Sequence, residues 1–270
     1  MHPYIGGFRA YDLFTVVAIL LGTITTLLMA QRRGIGSARF ALFQLAITAV
    51  AVLGAKAYSA ITRFNGSVSA VQILQERGAL RYPGGLLAAL VALPILRRIL
   101  PKVSLGMLAD VMAPGIAVAL AVMRLGCLCA GCCYGPISST PWAIRFPRES
   151  PAWDAQVVQG LIPVTSSWSL PVEPLQLYFG IVSLSVAVWL VKRASRTRYD
   201  GELFLWFLAL HETGKGLLEF LRQPEANQSV WHLQAVSLGL GALGIVAISV
   251  ATMLGAAGRR RTVLSEVLTR

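Results

Sequence analysis

The stretch M-L-A-D-V-M-A-P-G-I-A-V-A-L-A-V-M, which runs from Met107 to Met123, decides the fold class of this chain. Asp110 is its only charged residue. A helix needs about 20 mainly apolar residues, with a lower limit near 17, to cross the hydrocarbon core of a bilayer. The stretch therefore predicts a membrane-spanning helix, and Arg124 follows it directly.

The rest of the chain has the same apolar character. Of its 270 residues, 56% are hydrophobic and 13% are charged, and the mean hydropathy is +0.66, a balance that a water-soluble protein of this length does not normally show. We predict an all-α fold, a polytopic membrane helix bundle of about seven transmembrane helices. It forms one domain, residues 1–270, with a small outer-face cap at about 124–173. The other predicted spans are 13–30, 40–60, 84–96, 174–191, one that begins near Glu202, and 233–254.

The formal net charge of +12 is explained by membrane topology, so we expect no nucleic acid partner. Fourteen of the 24 basic residues lie in alternate loops, which is the positive-inside pattern and predicts an outer N-terminus and a cytoplasmic C-terminus. The first span lacks a strongly basic leader, so we expect a retained helix and not a signal peptide. The fourteen residues are Arg32, Arg33, Arg39, Arg97, Arg98, Lys102, Lys192, Arg193, Arg196, Arg198, Arg259, Arg260, Arg261 and Arg270.

The predicted sixth span carries a polar stripe. At about 100° per residue, His211, Lys215, Glu219 and Arg222 fall on one side of an otherwise apolar helix. The stripe is consistent with a helix end that enters water, with Lys215 and Glu219 forming an ordinary i,i+4 pair. We favour a second interpretation, a cavity that holds an anionic group, because ionisable residues inside the membrane usually face a cavity or a partner.

All four cysteines lie between Cys127 and Cys133, directly after Arg124. The block lacks a second C-x-x-C and a pair of histidines, so its spacing does not fit a structural zinc site and we expect no metal. A disulfide is sterically conceivable, but four thiols this close define no pairing. The small residues here also suit tight helix packing, while Arg124 offers a planar fork suited to a phosphate.

Two further features have less specific interpretations. Gly84 and Gly85 open the third span and permit close approach of a lipid or a helix. Asp110 could pair with Lys56 of the second span, in a structural or a functional role.

Several motifs occur together in a recognisable order. The chain resembles the prolipoprotein diacylglyceryl transferase family over essentially its whole length, and the arginine block and the E-F-x-R-Q-P block are the most specific parts. The blocks that carry the resemblance are Tyr11-Asp12-Leu13, Gly84-Gly85-Leu86, Arg124-Leu125-Gly126, Gly131 to Gly135, Pro141-Trp142-Ala143, Pro174 to Tyr178 and Leu218 to Glu225.

The resemblance implies transfer of a diacylglyceryl group from phosphatidylglycerol to the lipobox cysteine thiol of a preprolipoprotein, at the outer face of the bacterial plasma (inner) membrane. The implied partners are phosphatidylglycerol, the preprolipoprotein signal peptide and membrane lipids, with no cofactor and a monomeric protein. At the positions that the resemblance points to, we expect His211, Lys215 and Glu219 to be the catalytic residues. We expect the substrate to be bound by Arg124 at the phosphate, with Arg222, Tyr11, Gly84, Gly85, Cys127, Gly131, Cys132, Gly135 and Tyr178.

The chain also departs from the family pattern. Pro83 replaces a histidine, Cys127 and Cys132 replace an asparagine and an acid, His211 and Lys215 replace a tyrosine and an arginine, and Glu173 replaces another histidine. Either the site has been rebuilt, with His211 as a candidate base, or the chain is a non-transferase that binds lipid or uses the cysteines for redox or metal chemistry.

Overall fold

The fold is a bundle of long helices, seen in a computed structural model that describes residues 4–5, 8–63, 82–223 and 231–268. Pro224 and Glu225 of the E-F-x-R-Q-P block, and Arg270 among the basic residues, lie outside these ranges. A two-residue hairpin, β1 (Tyr4–Ile5) and β2 (Phe8–Arg9), precedes the first helix. The helices are α1 (Ala10–Arg32), α2 (Ala38–Arg63), α3 (Tyr82–Leu96), α4 (Leu105–Ala130), α5 (Pro151–Val158), α6 (Leu175–Arg193), α7 (Glu202–Phe207), α8 (Thr213–Glu219) and α9 (Trp231–Leu268).

Five helices among the described residues are long and apolar enough to cross a membrane: Ala10–Arg32, Ala38–Ile61, Leu105–Ala130, Leu175–Arg196 and Gln234–Met253. Exposed leucines, isoleucines and valines along them form the apolar surface that a bilayer requires. The predicted all-α, multi-pass membrane bundle is confirmed. The other two predicted spans correspond to α3, which has only 15 residues, and to residues 202–219, which carry four charged residues. Neither is among the five, so the count of seven stays a prediction.

Helix α4 lies at the centre of the bundle, between α1 and α6, while α2 packs on α3, and α9 packs on α8. Backbones approach closely where α1 crosses α4. A Cβ atom built on Gly22 would lie 2.8 Å from the carbonyl oxygen of Gly115, and one built on Gly115 would overlap Thr26 and the Gly22 carbonyl oxygen. Small residues permit this spacing, which membrane helices use in place of a hydrophobic driving force.

We expect Gly115→Ala to destabilise the bundle by about 1–3 kcal/mol, because the new methyl group meets backbone that can move only with its helix. The thermal unfolding midpoint in detergent micelles measures this loss. Gly239→Ala is the matched control, since nothing lies within 4 Å of its added Cβ. Equal loss of stability in both variants would show that the α1–α4 contact does not limit stability.

Three of the basic loops meet at one end of the bundle. Arg33 donates hydrogen bonds to the Ala194 carbonyl oxygen (2.8 Å) and to the Thr197 hydroxyl (2.7 Å), and the side chain of Ser104 hydrogen-bonds Asp200. The loops after α1, α3 and α6 therefore share one side, as the alternation of charge predicts.

Asp110 does not pair with Lys56, contrary to one of our expectations. Its carboxylate accepts hydrogen bonds from the backbone N–H groups of Gly201 (2.9 Å) and Phe204 (3.1 Å). The first N–H groups of a helix have no partner within the helix, so a buried acid satisfies them well. Asp110 thus attaches the start of α7 to α4.

Candidate functional site

The end of α4 opposite the basic loops carries the arginine and the cysteines. The helix continues seven residues past its predicted end at Met123, so Arg124 lies inside it and the connecting segment begins at Gly131. Gly131 ends the helix with a φ of 74°, and its N–H donates to the Cys127 carbonyl oxygen (3.0 Å), a conformation that favours glycine. Arginine is a good helix former, and the guanidinium of Arg124 lies 4.2 Å from the centre of the Phe179 ring.

Three of the four cysteines form a cluster, which we call the thiol triad: Cys127, Cys132 and Cys133. Their sulfur atoms all lie within 4.8 Å of one another. No disulfide joins the four cysteines in the structure, and Cys129 lies outside the triad. The cluster is a product of the fold, because the tight turn after α4 returns Cys132 and Cys133 towards the last helical turn, where Cys127 lies.

The backbone of the triad is held firmly. Gln176 of α6, which is fully buried, donates to the Cys132 carbonyl oxygen (2.7 Å), and the Cys132 N–H donates to the Cys127 carbonyl oxygen (3.2 Å). Cys133 has a φ of 59°, a left-handed conformation that is uncommon outside glycine and concentrates at functional sites.

Two arginine side chains act electrostatically on the thiol triad. The pKa of Cys133 is lowered, first by hydrogen bonds from Cys127 and Cys132 and then by the guanidinium groups of Arg222 and Arg124. The same hydrogen bonds and burial raise the pKa of Cys132. Arg124 of α4 and Arg222, which follows α8, therefore act electrostatically on the same thiol.

Residues 202–219 form one continuous helical rod: α7, a π-helical turn at Leu208–Glu212, and α8. A π turn is wider than an α turn and frequently occurs at functional sites. Inside it, His211 is 3% exposed and Glu212 is 1% exposed. Nδ1 of His211 lies 3.0 Å from Glu212 Oε1, and Nε2 lies 3.1 Å from the Ser183 hydroxyl, so protein groups engage both ring nitrogens.

The polar stripe of this rod is real, but its ion pairs differ from the expected one. Lys215 pairs with Glu212 (Nζ to Oε2, 3.9 Å) and Arg222 with Glu219 (Nη1 to Oε2, 3.4 Å), both at i,i+3 spacing. Lys215 also bonds the Ser237 hydroxyl of α9 and interacts electrostatically with Glu219, Arg124 and Arg222. Glu219, Arg124 and Arg222 thus all act electrostatically on Lys215, and their role in one site stays a prediction.

Tyr11 joins this group from α1. Its phenol interacts electrostatically with Arg124 and with all three thiols of the triad. A Cβ atom on Gly126 would lie 3.4 Å from the Tyr11 Cα atom, so the glycine after Leu125 permits the close approach of the two helices.

Gly135 and Tyr178 belong to a neighbouring network centred on Glu173. The Glu173 carboxylate accepts hydrogen bonds from Ser138 (2.5 Å), Thr140 (2.7 Å), Tyr178 (2.6 Å) and Trp142 (3.1 Å), and its carbonyl oxygen accepts from the Gly135 N–H (3.0 Å). This network fastens the segment between α4 and α6 to the start of α6.

The hydrogen bonds of the Glu173 network, from Ser138 first and then from Tyr178 and Thr140, lower the pKa of Glu173 to about 2. A glutamate in an unfolded chain has a pKa near 4.3. Ionised Glu173 therefore stabilises the fold fully above about pH 4.3, and this stabilisation is lost as the pH falls towards 2.

We expect the unfolding midpoint of Glu173→Gln to lie below that of the unchanged protein at pH 7 and to fall less steeply on acidification, because glutamine cannot ionise. Unfolding in detergent over a series of pH values measures both effects. Glu149→Gln, at an exposed acid of the same segment, should follow the unchanged protein. Parallel curves for Glu173→Gln and the unchanged protein would contradict this role.

Gly84 and Gly85 lie elsewhere. A Cβ on Gly84 would overlap Tyr58 and the Gly54 carbonyl oxygen, and one on Gly85 would lie 2.9 Å from the Ala51 carbonyl oxygen. Within the described residues, their close neighbours are thus in α2, and they serve the α2–α3 contact. The side chain of Pro83 lies outside the described residues.

Sequence reasoning missed two members of the site. Glu212 lies off the i,i+4 stripe, although its i,i+3 spacing to Lys215 was a usable signal. The sequence predicts no separate role for Cys133. Its sulfur lies near those of Cys127 and Cys132 because the backbone at Cys133 is left-handed, and the spacing of the cysteines in the sequence does not predict that conformation.

Comparison with known proteins adds two findings. Residues 4–254 match the family described as prolipoprotein diacylglyceryl transferase. Proteins named phosphatidylglycerol–prolipoprotein diacylglyceryl transferase are similar to the chain: one from Clostridium tetani is 23% identical over 249 residues, 90% of this chain and 94% of that protein. One from Ruegeria pomeroyi is 32% identical over 157 residues, 56% of this chain and 49% of that protein.

A third relative, the protein named phosphatidylglycerol–prolipoprotein diacylglyceryl transferase 2 of Clostridium perfringens, is 30% identical over 115 residues, 43% of this chain and 40% of that protein. The chain thus spans about half the length of several relatives that it matches and nearly all of the Clostridium tetani protein.

Proposed function

The chain belongs to the prolipoprotein diacylglyceryl transferase family, and we propose that it transfers a diacylglyceryl group from phosphatidylglycerol to the lipobox cysteine thiol of a prolipoprotein. The observation that carries the proposal is the convergence of three cations, Arg124, Lys215 and Arg222, at one end of an apolar helix bundle. Family membership favours this activity over a non-transferase role.

The reaction needs positive charge at a phosphate. The acceptor thiol loses its proton, its sulfur attacks the glyceryl carbon next to the phosphate, and glycerol phosphate leaves with the electrons of the broken C–O bond. Arg124 binds the phosphate through its planar fork, and Lys215 and Arg222 stabilise the charge that develops on the leaving group. Tyr11 and the backbone from Gly131 to Gly135 line the same end of the bundle.

A carboxylate of the helical rod, Glu219, removes the proton of the acceptor thiol in this proposal. Glu219 is 1% exposed, lies 3.4 Å from Arg222 and is our proposed acceptor of the thiol proton. His211 does not take the thiol proton itself in this proposal, because its two ring nitrogens engage Ser183 and Glu212. It positions Glu212, which in turn holds Lys215.

We place the protein in the bacterial plasma (inner) membrane, with the N-terminus outside and the C-terminus in the cytoplasm. The support is the position of the loops: the arginine-rich loops meet at one end, and Arg124 and the triad lie at the other. This orientation puts the site at the outer face, where preprolipoprotein signal peptides arrive. We propose that the protein acts as a monomer with membrane phospholipid as its donor.

The test is complementation of a bacterial strain that lacks its own transferase. Expression of the full chain should restore growth and add one diacylglyceryl group to a reporter prolipoprotein, seen as the mass shift of its N-terminal peptide. A reporter with serine at the lipobox position is the control and should stay unmodified. Membrane-inserted protein that leaves the cysteine reporter unmodified would refute the proposal.

A further inference from the structure

We propose that the thiol triad binds a zinc ion whose fourth position takes the acceptor thiol of the prolipoprotein. This inference rests on the proposed transferase function and deepens it, because it assigns a role to Cys127, Cys132 and Cys133 in the same site. The ion would hold the acceptor sulfur as a thiolate, and two of its ligands, Cys127 and Cys132, are departures from the family pattern.

The donor geometry fits zinc. Thiolate sulfurs lie about 2.3 Å from a bound zinc ion, which in a tetrahedral arrangement separates them by roughly 3.8 Å. The three sulfur atoms already lie within 4.8 Å of one another, so only a small contraction brings them to this spacing. Their backbone is preorganised by the Gln176 hydrogen bond and by the left-handed turn at Cys133, so little ordering is left for the ion to impose.

The number of donors points to a reactive site and not a structural one. Structural zinc sites have four protein ligands, whereas catalytic sites have three and keep one position open. Within the part of the chain that the structure describes, the cluster contains three cysteines and no fourth histidine, cysteine or carboxylate. The absence of a second C-x-x-C argued against a closed site; it does not argue against an open one, so this proposal replaces the expectation of no metal.

The surrounding charge suits the loaded site. Three thiolates and Zn²⁺ carry a net charge of −1, and a fourth thiolate from the acceptor makes it −2. Arg124 and Arg222, which both interact electrostatically with Cys133, provide two positive charges beside it. Cys132 and Cys133 are partly exposed while Cys127 is buried, so an acceptor thiol would approach the triad from the side of Cys132 and Cys133.

The chemistry balances without an oxidant or a reductant. A coordinated thiol is deprotonated, and its proton passes to Glu219 or to water. The sulfur then forms a C–S bond to the glyceryl carbon, the C–O bond to the phosphate breaks, and glycerol phosphate leaves with that electron pair. The product sulfur is a neutral thioether, a much weaker ligand than a thiolate, so the lipidated protein is released.

The first experiment measures metal content. The full chain, purified in detergent with a reductant and equilibrated with zinc, should hold one zinc per chain, and Cys127→Ser, Cys132→Ser and Cys133→Ser should each lower this content and the rate of reporter lipidation. Cys129→Ser is the matched control, since this cysteine of the same block lies outside the triad; it should keep both. Equal zinc content in all four variants would overturn the proposal.

A second experiment uses the unchanged chain, so that a folding defect cannot account for the result. Chelation should stop lipidation and added zinc should restore it. With Co²⁺ in place of zinc, the visible spectrum should shift when an acceptor peptide with the lipobox cysteine is added, and should not shift with its serine counterpart.

The two proposals fail in different ways. An active transferase that binds no zinc and is indifferent to chelation refutes the metal site and leaves the proposed function standing. Zinc binding by a chain that lipidates no reporter under any condition refutes the proposed function, and with it the role given to the fourth position. A disulfide within the triad of active protein would also refute the metal site.

Discussion

Replacement of Arg124 by alanine should lower the rate of prolipoprotein lipidation by about 10²–10³-fold, the usual effect of removing one donor that stabilises developing negative charge. The guanidinium is the only charged group that α4 brings to this end of the described bundle, and it acts electrostatically on Cys133 and on Lys215. Mass spectrometry of a reporter prolipoprotein with membranes that contain the variant measures the rate.

Two further variants separate the loss of the Arg124 guanidinium from the loss of any positive charge. Arg145→Ala removes an exposed arginine of the segment between α4 and α6 and should leave the rate unchanged. Arg124→Lys keeps the charge but loses the planar fork, so it should recover only part of the activity. Full activity of Arg124→Ala would show that the phosphate binds elsewhere.

The second large effect concerns stability. Glu212→Gln should destabilise the protein by about 3 kcal/mol, because it removes a carboxylate that pairs with the largely buried Lys215. The amide still reaches His211, so the loss reflects charge and not shape. The unfolding midpoint in detergent, measured with the unchanged protein in parallel, reports this effect.

A double-mutant cycle isolates the pair. Glu212→Gln combined with Lys215→Met removes both charges and should recover much of the stability that Glu212→Gln loses, while lipidation stays low because a cation of the site is gone. Additive losses in the double variant would show that Glu212 and Lys215 do not depend on each other.

Much of the fold follows from hydropathy, because in a bilayer only a helix satisfies its own backbone along an apolar segment. The same reasoning fails at helix ends. The α4 helix runs on past Arg124 to Ala130 and ends at Gly131, which has a positive φ, so the first charged residue after an apolar segment does not mark the end of the helix.

The candidate site was predictable where its members share one face of a helix. Helical rotation of about 100° per residue predicts that Lys215, Glu219 and Arg222 share one face of the rod. The family resemblance adds Arg124 and Tyr11. The triad did not follow, since it depends on a turn whose direction is fixed by the backbone conformation at Gly131 and Cys133. The resemblance also suggests Gly84 and Gly85, whose described close neighbours lie in α2, and a role for them in substrate binding stays a prediction.

The hydrogen bonds of Asp110 to the start of α7 make two helix lengths interdependent. From Asp110 to Arg124 is about 21 Å along α4, and from Phe204 to Glu219 is about 22 Å along the rod, at 1.5 Å per residue. The two helix segments are nearly equal in length, so Arg124 and Glu219 lie at similar distances along their helices from the hydrogen bonds of Asp110. One residue inserted into either segment would displace everything beyond it by about 1.5 Å and rotate it by about 100°, whereas the same insertion in a surface loop leaves this alignment intact.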